Sequence, residues 1–436
     1  MSLKPQNTKQ LGLWTATSLV VGSMIGSGIF SIPTALAPYG GISLVGWGVA
    51  AAGAFIMAQV LSKLSKVIPA NGGPYAYSRE AFGNLTAFIV AWGYWISIWA
   101  TNAAITITFV SYLSVFIPAL AENNLLSGLA GLLTLWLLTA INSRNIKTAG
   151  RLQLVSTILK IIPILTITIA GFFFFQVDHF TPLNLSDGSS LKAITITTAF
   201  CLFAFMGLEA ATIPAGNIKN PKKTIPRATL IGTCVVTLVY VLSSISLFGI
   251  LPADQLSTSV APYSDAAANL WGESARYFIA AGACISAFGA LNGWILIQGQ
   301  LPLAMAGDRL LPKAFGKTNK NNTPSFGIIV SSIIVTLLLV SNQSKGLNNL
   351  YAFVLLLTAV TTLISYVTSA AAFTYFSWKN KFGFSLTIKN LTLGIIATLF
   401  SIWMFIGSGL EANLWGFGGV AAGLPIYFWS KRKKRI

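Results

Sequence analysis

Charge is scarce in this chain. Only 9% of its 436 residues are charged, against 54% hydrophobic, whereas a soluble domain carries about a quarter charged residues. That shortage excludes a surface turned wholly to water. Histidine occurs once, at His179, and cysteine three times. A metal cluster needs several such ligands, so neither a metal nor a cofactor is expected. Cys201, Cys234 and Cys284 are odd in number and all fall in apolar runs. They give no disulfide framework and read as small packing residues. No HExxH, nucleophile elbow or phosphate-binding loop occurs.

What the chain does have is apolar runs of about 20 residues, the length that crosses a hydrocarbon core. They are expected at Leu11–Ala37, Ile42–Leu61, Leu85–Ile117, Leu125–Ile141, Leu152–Phe175 and Ile194–Gly216. The later ones are expected at Ala228–Ile250, Tyr277–Ala306, Phe326–Val340, Leu350–Phe376, Leu391–Ile406 and Leu414–Trp429. The pattern predicts an all-α integral membrane protein of about twelve transmembrane helices. Ala35-Leu36-Ala37 mimics a signal-peptide cleavage site, but the apolar stretch before it is too long for such a peptide. It is read as the end of the first span.

The net charge of +18 would suggest nucleic acid in a soluble protein, but its placement is topological. With loops assigned alternately to two sides, all but four of the 28 basic residues share the side of the N-terminus. The exceptions are Lys192, Arg276 and Lys345 in opposite loops, and Lys160 within the fifth span. The positive-inside rule then places both termini in the cytoplasm and removes nucleic acid as a partner. The acidic residues other than Glu80, Glu209 and Asp308 lie on the opposite side, where they could draw cations or simply be solvated loop charge.

Two spans carry a matched motif. The first contains Gly26-Ser27-Gly28 and then Ile32-Pro33; the sixth contains Gly207-Leu208-Glu209 and then Ile213-Pro214. Five spans separate them, so they enter the membrane from opposite sides. That is the signature of an inverted repeat with two broken helices. Glycine-rich backbone at mid-membrane is costly unless it lines a cavity; the competing reading is close helix packing through small residues. Amides of Ser27, Gly28 and Ile29 would open the second half of the first span and suit a carboxylate. Carbonyls of Met24, Ile25, Phe203 and Met206 would end the opposing halves and suit an ammonium. Such a site fits an α-amino acid.

Here the chain resembles the amino acid–polyamine–organocation superfamily, over Leu11 to about Tyr427. The resemblance rests on Val21 to Phe30 (VGSMIGSGIF), Asn71 to Tyr77 (NGGPYAY), Gly207-Leu208-Glu209 and Lys219-Asn220-Pro221. Within it, Tyr94-Trp95, Trp99, Asn102, Gly293-Trp294 and Gly299-Gln300 are similar to basic amino acid/polyamine antiporters, arginine/agmatine antiporters in particular. The resemblance implies a 5+5 inverted-repeat, LeuT-like core with two extra helices, alternating access, and often a homodimer. The corresponding division is a tail at 1–10, repeats at 11–185 and 186–378, two helices at 379–430 and a basic tail at 431–436.

Carried over by position, Ser27 and Gly28 would hold the carboxylate, and carbonyls of Met24, Phe203 and Met206 the amine. Trp294 would pack on the aliphatic stem, with Asn102, Ser97 and Thr358 around the distal cation. Tyr94, Glu209 and Tyr366 would belong to the gates. Phe203 stands where arginine/agmatine antiporters usually carry tryptophan, Ser23 replaces an asparagine and Lys160 a small apolar residue. Glu209 is the one carboxylate inside a span, so it is either a proton-exchanging group or a cap on the broken helix. Lys160 either snorkels to the headgroups or faces the broken first helix as a proton carrier.

A secondary transporter is the reading these features favour, exchanging a cationic amino acid for its amine or another amino acid. A proton-coupled symporter using Lys160 is the alternative. A membrane enzyme would need more ionisable groups at depth than Glu209 and Lys160, and a channel would show a repeated filter.

Overall fold

The structure is a computed structural model that describes residues 11–70, 72–144, 161–213, 215, 218–341, 346–384 and 386–432. Among these residues there is no β-strand, only an isolated bridge between Leu11 and Ile218. Among the described residues, twelve main helical segments follow one another. The first is broken into Leu13–Met24 and Ser27–Leu36. The second is Ile42–Val67, the third Asn84–Leu113, the fourth Asn124–Arg144 and the fifth Ile161–Phe173. The sixth runs Ser190–Ala204 and then loses regular geometry. The seventh to ninth are Pro221–Ile250, Glu273–Gly307 and Ser325–Ser341; the last three are Gly346–Trp378, Ile388–Gly407 and Gly409–Arg432.

Eight of these helices are long and apolar enough to cross a membrane. The fifth, sixth and ninth are shorter apolar helices. Their outer faces carry large apolar side chains, such as Leu133, Phe173 and Ile406, that are more than two-thirds exposed. Leaving them in water would forgo about 25 cal/mol for each Å² of apolar surface, so these faces suit a bilayer. The chain is a multi-span membrane protein.

Three features depart from the runs read in the sequence. The third span stops at Leu113, and Pro118 opens a separate short turn at Ala119–Glu122. A nine-residue helix, Pro74–Phe82, fills the link between spans two and three. Two more helices, Ala253–Thr258 and Pro262–Trp271, lie between spans seven and eight. None of these four short helices is long enough to span, which is why a search for apolar runs passes over them.

The packing repeats itself when each helix is replaced by the one five places on. Span one packs on seven and span six on two; span four packs on eight and span nine on three. Spans two and seven, three and eight, and four and nine pack as partners. Paired glycines show the same correspondence. A Cβ on Gly46 of span two would fall 2.3 Å from Thr197 Oγ1 of span six. One on Gly232 of span seven would fall 2.7 Å from Val20 Cγ1 of span one. Both broken helices are thus seated by a glycine of a neighbouring span, the small-residue device of membrane helix packing.

Candidate functional site

The two breaks meet at the centre of the molecule. The first span loses helical geometry at Ile25, with ψ 92°, and at Gly26, with φ −130° and ψ −133°. It restarts at Ser27 with no side-chain cap, so its first amides point free toward the break. The sixth span ends at Ala204 and turns through Gly207, whose φ of +104° suits glycine. A Cβ there would lie 3.0 Å from Ser23 Cβ and 3.1 Å from the Ser23 carbonyl carbon. Glycine at 207 is what lets one break rest against the other.

Between them lies a small cavity lined by Ser23, Met24, Gly26, Ser27, Gly28, Thr101, Ile105, Phe203, Met206 and Trp294. Its volume is ≈ 20 Å³, room for about one water molecule, so the site holds little free space. Ser27 Oγ is buried and lacks a hydrogen-bond partner. Tyr351 Oη lies beside it, equally buried, with the two hydroxyls set too far apart for a full hydrogen bond. Uncompensated buried hydroxyls are costly, and both sit where a polar solute would be received. The Met24 carbonyl already accepts a 2.5 Å hydrogen bond from Tyr240 Oη, which leaves its second lone pair.

Of the residues singled out in the sequence, Met24, Ser27, Gly28, Phe203, Met206 and Trp294 line this cavity. Three others do not. Ser97 Oγ donates to the carbonyl of Tyr94, and Thr358 Oγ1 to that of Val354. Asn102 is fully buried and its Nδ2 donates to Gln298 Oε1 at 2.7 Å. Gln298 in turn donates to the Ile328 carbonyl and to Ser332 Oγ. The Asn102 amide therefore ties spans three, eight and nine together instead of entering the cavity. Lys160 lies outside the described residues.

Tyr94, Glu209 and Tyr366 form a bridge across three spans. Tyr94 Oη donates to Glu209 Oε1 at 2.7 Å, and Tyr366 Oη to Oε2 at 3.0 Å. The carboxyl group sits in the break of the sixth span, 1% exposed, beside the amides of Gly207 and Glu209. It caps the broken helix and at the same time ties spans three, six and ten together beside the site. A second set of contacts joins the link after span two to the sixth and eighth spans. The Gly72 amide donates to the Ile213 carbonyl, Tyr75 Oη to Asp308 Oδ2 at 2.6 Å, and Arg79 lies 3.5 Å from Asp308 Oδ1. Burial and the neighbouring carboxylate push the Tyr75 hydroxyl well above its usual range, so it stays protonated and keeps donating.

Beyond Tyr351 lies a vestibule of ≈ 210 Å³. Ser31, Thr34, Ser111, Ser257, Asn348 and Asn349 give it a polar wall. Phe200 and Tyr351 stand at its floor, and Tyr351 divides it from the cavity at Ser27. The small central pocket thus has a tyrosine–glutamate bridge near one break and a polar vestibule beyond Tyr351.

Residues 11–422 match the family model described as amino acid permease. The chain belongs to the amino acid permease family. Among its relatives, the cadaverine/lysine antiporter of Escherichia coli (strain K12) is 31% identical over 409 residues, 92% of this permease and 89% of the relative. The putative arginine/ornithine antiporter of Bacillus subtilis (strain 168) is 30% identical, covering 97% of each chain. The arginine/agmatine antiporter of Chlamydia pneumoniae is 29% identical, covering 100% of this permease and 93% of the relative.

Sequence reading did not pick out four residues of the permease site: Thr101, Ile105, Tyr240 and Tyr351. Helical register could have found two. At 100° per residue, Tyr94, Thr101 and Ile105 fall within about 40° of one another on span three, and Asn102 lies about 80° away from Tyr94. Tyr240 and Tyr351 carry no local signal, because each reaches the first break from a distant span.

Proposed function

We propose that this permease exchanges a cationic amino acid for its decarboxylated amine, or for another amino acid, by alternating access. The observation that carries the reading is the small cavity between the two helix breaks, flanked by the Tyr94–Glu209–Tyr366 bridge and by Tyr351. One conformational change that parts the Tyr94–Glu209–Tyr366 bridge and closes the vestibule would transfer the site from one side to the other. The relatives, antiporters of cadaverine and lysine, arginine and ornithine, or arginine and agmatine, supply the substrate class. Ser27 and Gly28 amides would take the carboxylate, and the carbonyls of Met24, Phe203 and Met206 the α-amine. No carboxylate lines the cavity, so a side-chain cation would rest on the faces of Trp294 and Phe203, contacts worth about 0.5–2 kcal/mol each.

The same reading places both termini in the cytoplasm, from the bias of basic loops. It treats residues 11–185 and 186–378 as the two inverted repeats. The tyrosine–glutamate bridge then faces the cytoplasm and the vestibule faces out.

Exchange is tested in liposomes containing the purified permease. Labelled arginine or lysine should enter only when the lumen is loaded with an amino acid, agmatine or cadaverine. Uptake into empty liposomes, driven by an inward proton gradient and abolished by an uncoupler, would refute exchange.

A further inference from the structure

We infer that spans two, ten and eleven build a binding site for the headgroup of an anionic phospholipid on the side of the tyrosine–glutamate bridge. Lys63, near the end of span two, donates through Nζ to Asn390 Oδ1 at 2.7 Å. The same ammonium lies 5.6 Å from the centroid of Phe373 on span ten. Asn390 directly follows Lys389, so the hydrogen bond to it brings the Lys63 ammonium to the same turn of span eleven as Lys389. Lys379 and Lys381, in the link between spans ten and eleven, are held against Trp378 and Tyr375 at 4.1 and 5.3 Å.

No acid offsets these charges. The sequence has no Asp or Glu between Asp308 and Glu411. Among the described residues, no carboxylate lies within ion-pair distance of Lys63, Lys379, Lys381 or Lys389. The eleventh span starts at Ile388, one residue before Lys389, and adds the positive end of a 20-residue helix. The part-buried Lys63 ammonium, the exposed Lys389 and a helix N-terminus capped only by the neutral Thr387 hydroxyl gather at one end of span eleven, a concentration of positive charge that an anion would relieve.

Charge calls for an anion, and the surface around it identifies which. Trp378, Leu386 and Ile388 surround the lysines with exposed apolar side chains, and Ile395, Leu399, Ile402 and Ile406 continue that surface along span eleven. A small phosphate would use the lysines alone. A phospholipid would put its phosphate between Lys63 and Lys389 and lay its acyl chains along span eleven. Basic pockets between membrane helices bind anionic headgroups in this way.

Native mass spectrometry of the full chain in micelles doped with phosphatidylglycerol or phosphatidylcholine tests the site. Phosphatidylglycerol should be retained in preference to phosphatidylcholine. Lys63→Gln combined with Lys389→Gln should weaken its binding about thirtyfold, roughly fivefold for each lysine at a membrane surface, and leave phosphatidylcholine unchanged. Lys389 is exposed, so Lys389→Gln alone serves if the double variant does not fold, with a loss of about fivefold expected. Soluble glycerol phosphate in excess should not displace the lipid. Equal retention of the two lipids, unchanged affinity in the variants, or displacement by glycerol phosphate would each overturn the inference. None of these outcomes depends on what the permease transports.

Discussion

At the scale of single residues, the carboxylate position is the most constrained. A Cβ on Gly28 would lie 3.3 Å from Ile32 Cδ1 and 3.5 Å from the Cα and Cβ of Ala204. One methyl group is tight there, and two more have nowhere to go but the ≈ 20 Å³ cavity or Ala204. Gly28→Val is therefore expected to abolish amino acid binding, measured by calorimetry, while Gly28→Ala retains part of it. Asn102 leads to a different expectation. Asn102→Asp would place a carboxylate against Gln298 Oε1 inside a hydrogen-bonded network. Leaving a buried charge uncompensated costs on the order of 3 kcal/mol or more. The variant should lose thermal stability while keeping its ranking of arginine, lysine and their amines. Trp294→Ala, at the cavity wall, should change that ranking in competition assays with little loss of stability. A change of ranking with Asn102→Asp at unaltered thermal midpoint would instead return Asn102 to the cavity.

At the scale of elements, the link between spans two and three clamps the sixth span just beyond its break. Gly73 has φ +50°, and a Cβ on it would fall 2.1 Å from Thr212 Oγ1. Thr212 Oγ1 itself donates to the Glu209 carbonyl, so the clamp and the gate share one turn of chain. Gly73→Ala should push the Pro74–Phe82 helix off that turn and destabilise the closed bridge by about 1–3 kcal/mol. Exchange would then show a weaker dependence on which side carries substrate. Thr212→Ala removes the obstructing oxygen, and combined with Gly73→Ala it should restore part of the lost function. Equal exchange kinetics in Gly73→Ala and the parent would show that the clamp has no part in gating.

At the scale of the whole molecule, the two faces of the site differ in access. Asn348 lines the vestibule, whereas Ala91 lines a cavity of ≈ 30 Å³ beneath Tyr94 and is 1% exposed. With Cys201, Cys234 and Cys284 replaced by alanine, Asn348→Cys should react with an impermeant thiol reagent applied to the vestibule side. Ala91→Cys should stay unreactive from the other side until substrate is exchanged. Tyr351→Ala removes the partition between vestibule and cavity, and should extend labelling to a cysteine at Thr101. Fast labelling of Ala91→Cys at rest would mean that the bridge of Tyr94, Glu209 and Tyr366 is not a barrier.

The sequence by itself determined the helical passes, the two broken helices and the residues at the breaks. Each of these has a local cause. A run of about 20 apolar residues spans a bilayer whatever surrounds it, and Gly26-Ser27-Gly28 and Gly207 interrupt a helix through their own backbone freedom. Met24, Ser27, Gly28, Phe203 and Met206 were legible because they flank those interruptions, and Trp294 through its resemblance to related chains. Tertiary structure decided the rest. Whether Thr101 or Asn102 faces the cavity depends on the rotation of span three, set by what packs around it. That Tyr240 holds the Met24 carbonyl and Tyr351 floors the vestibule depends on spans 216 and more than 300 residues further along the chain. Contacts between sequence-distant side chains have no local pattern, since a helix registers only its neighbours three and four residues away. The positions of the breaks were thus written in the chain, and the shape of the space between them came from the packing of distant helices.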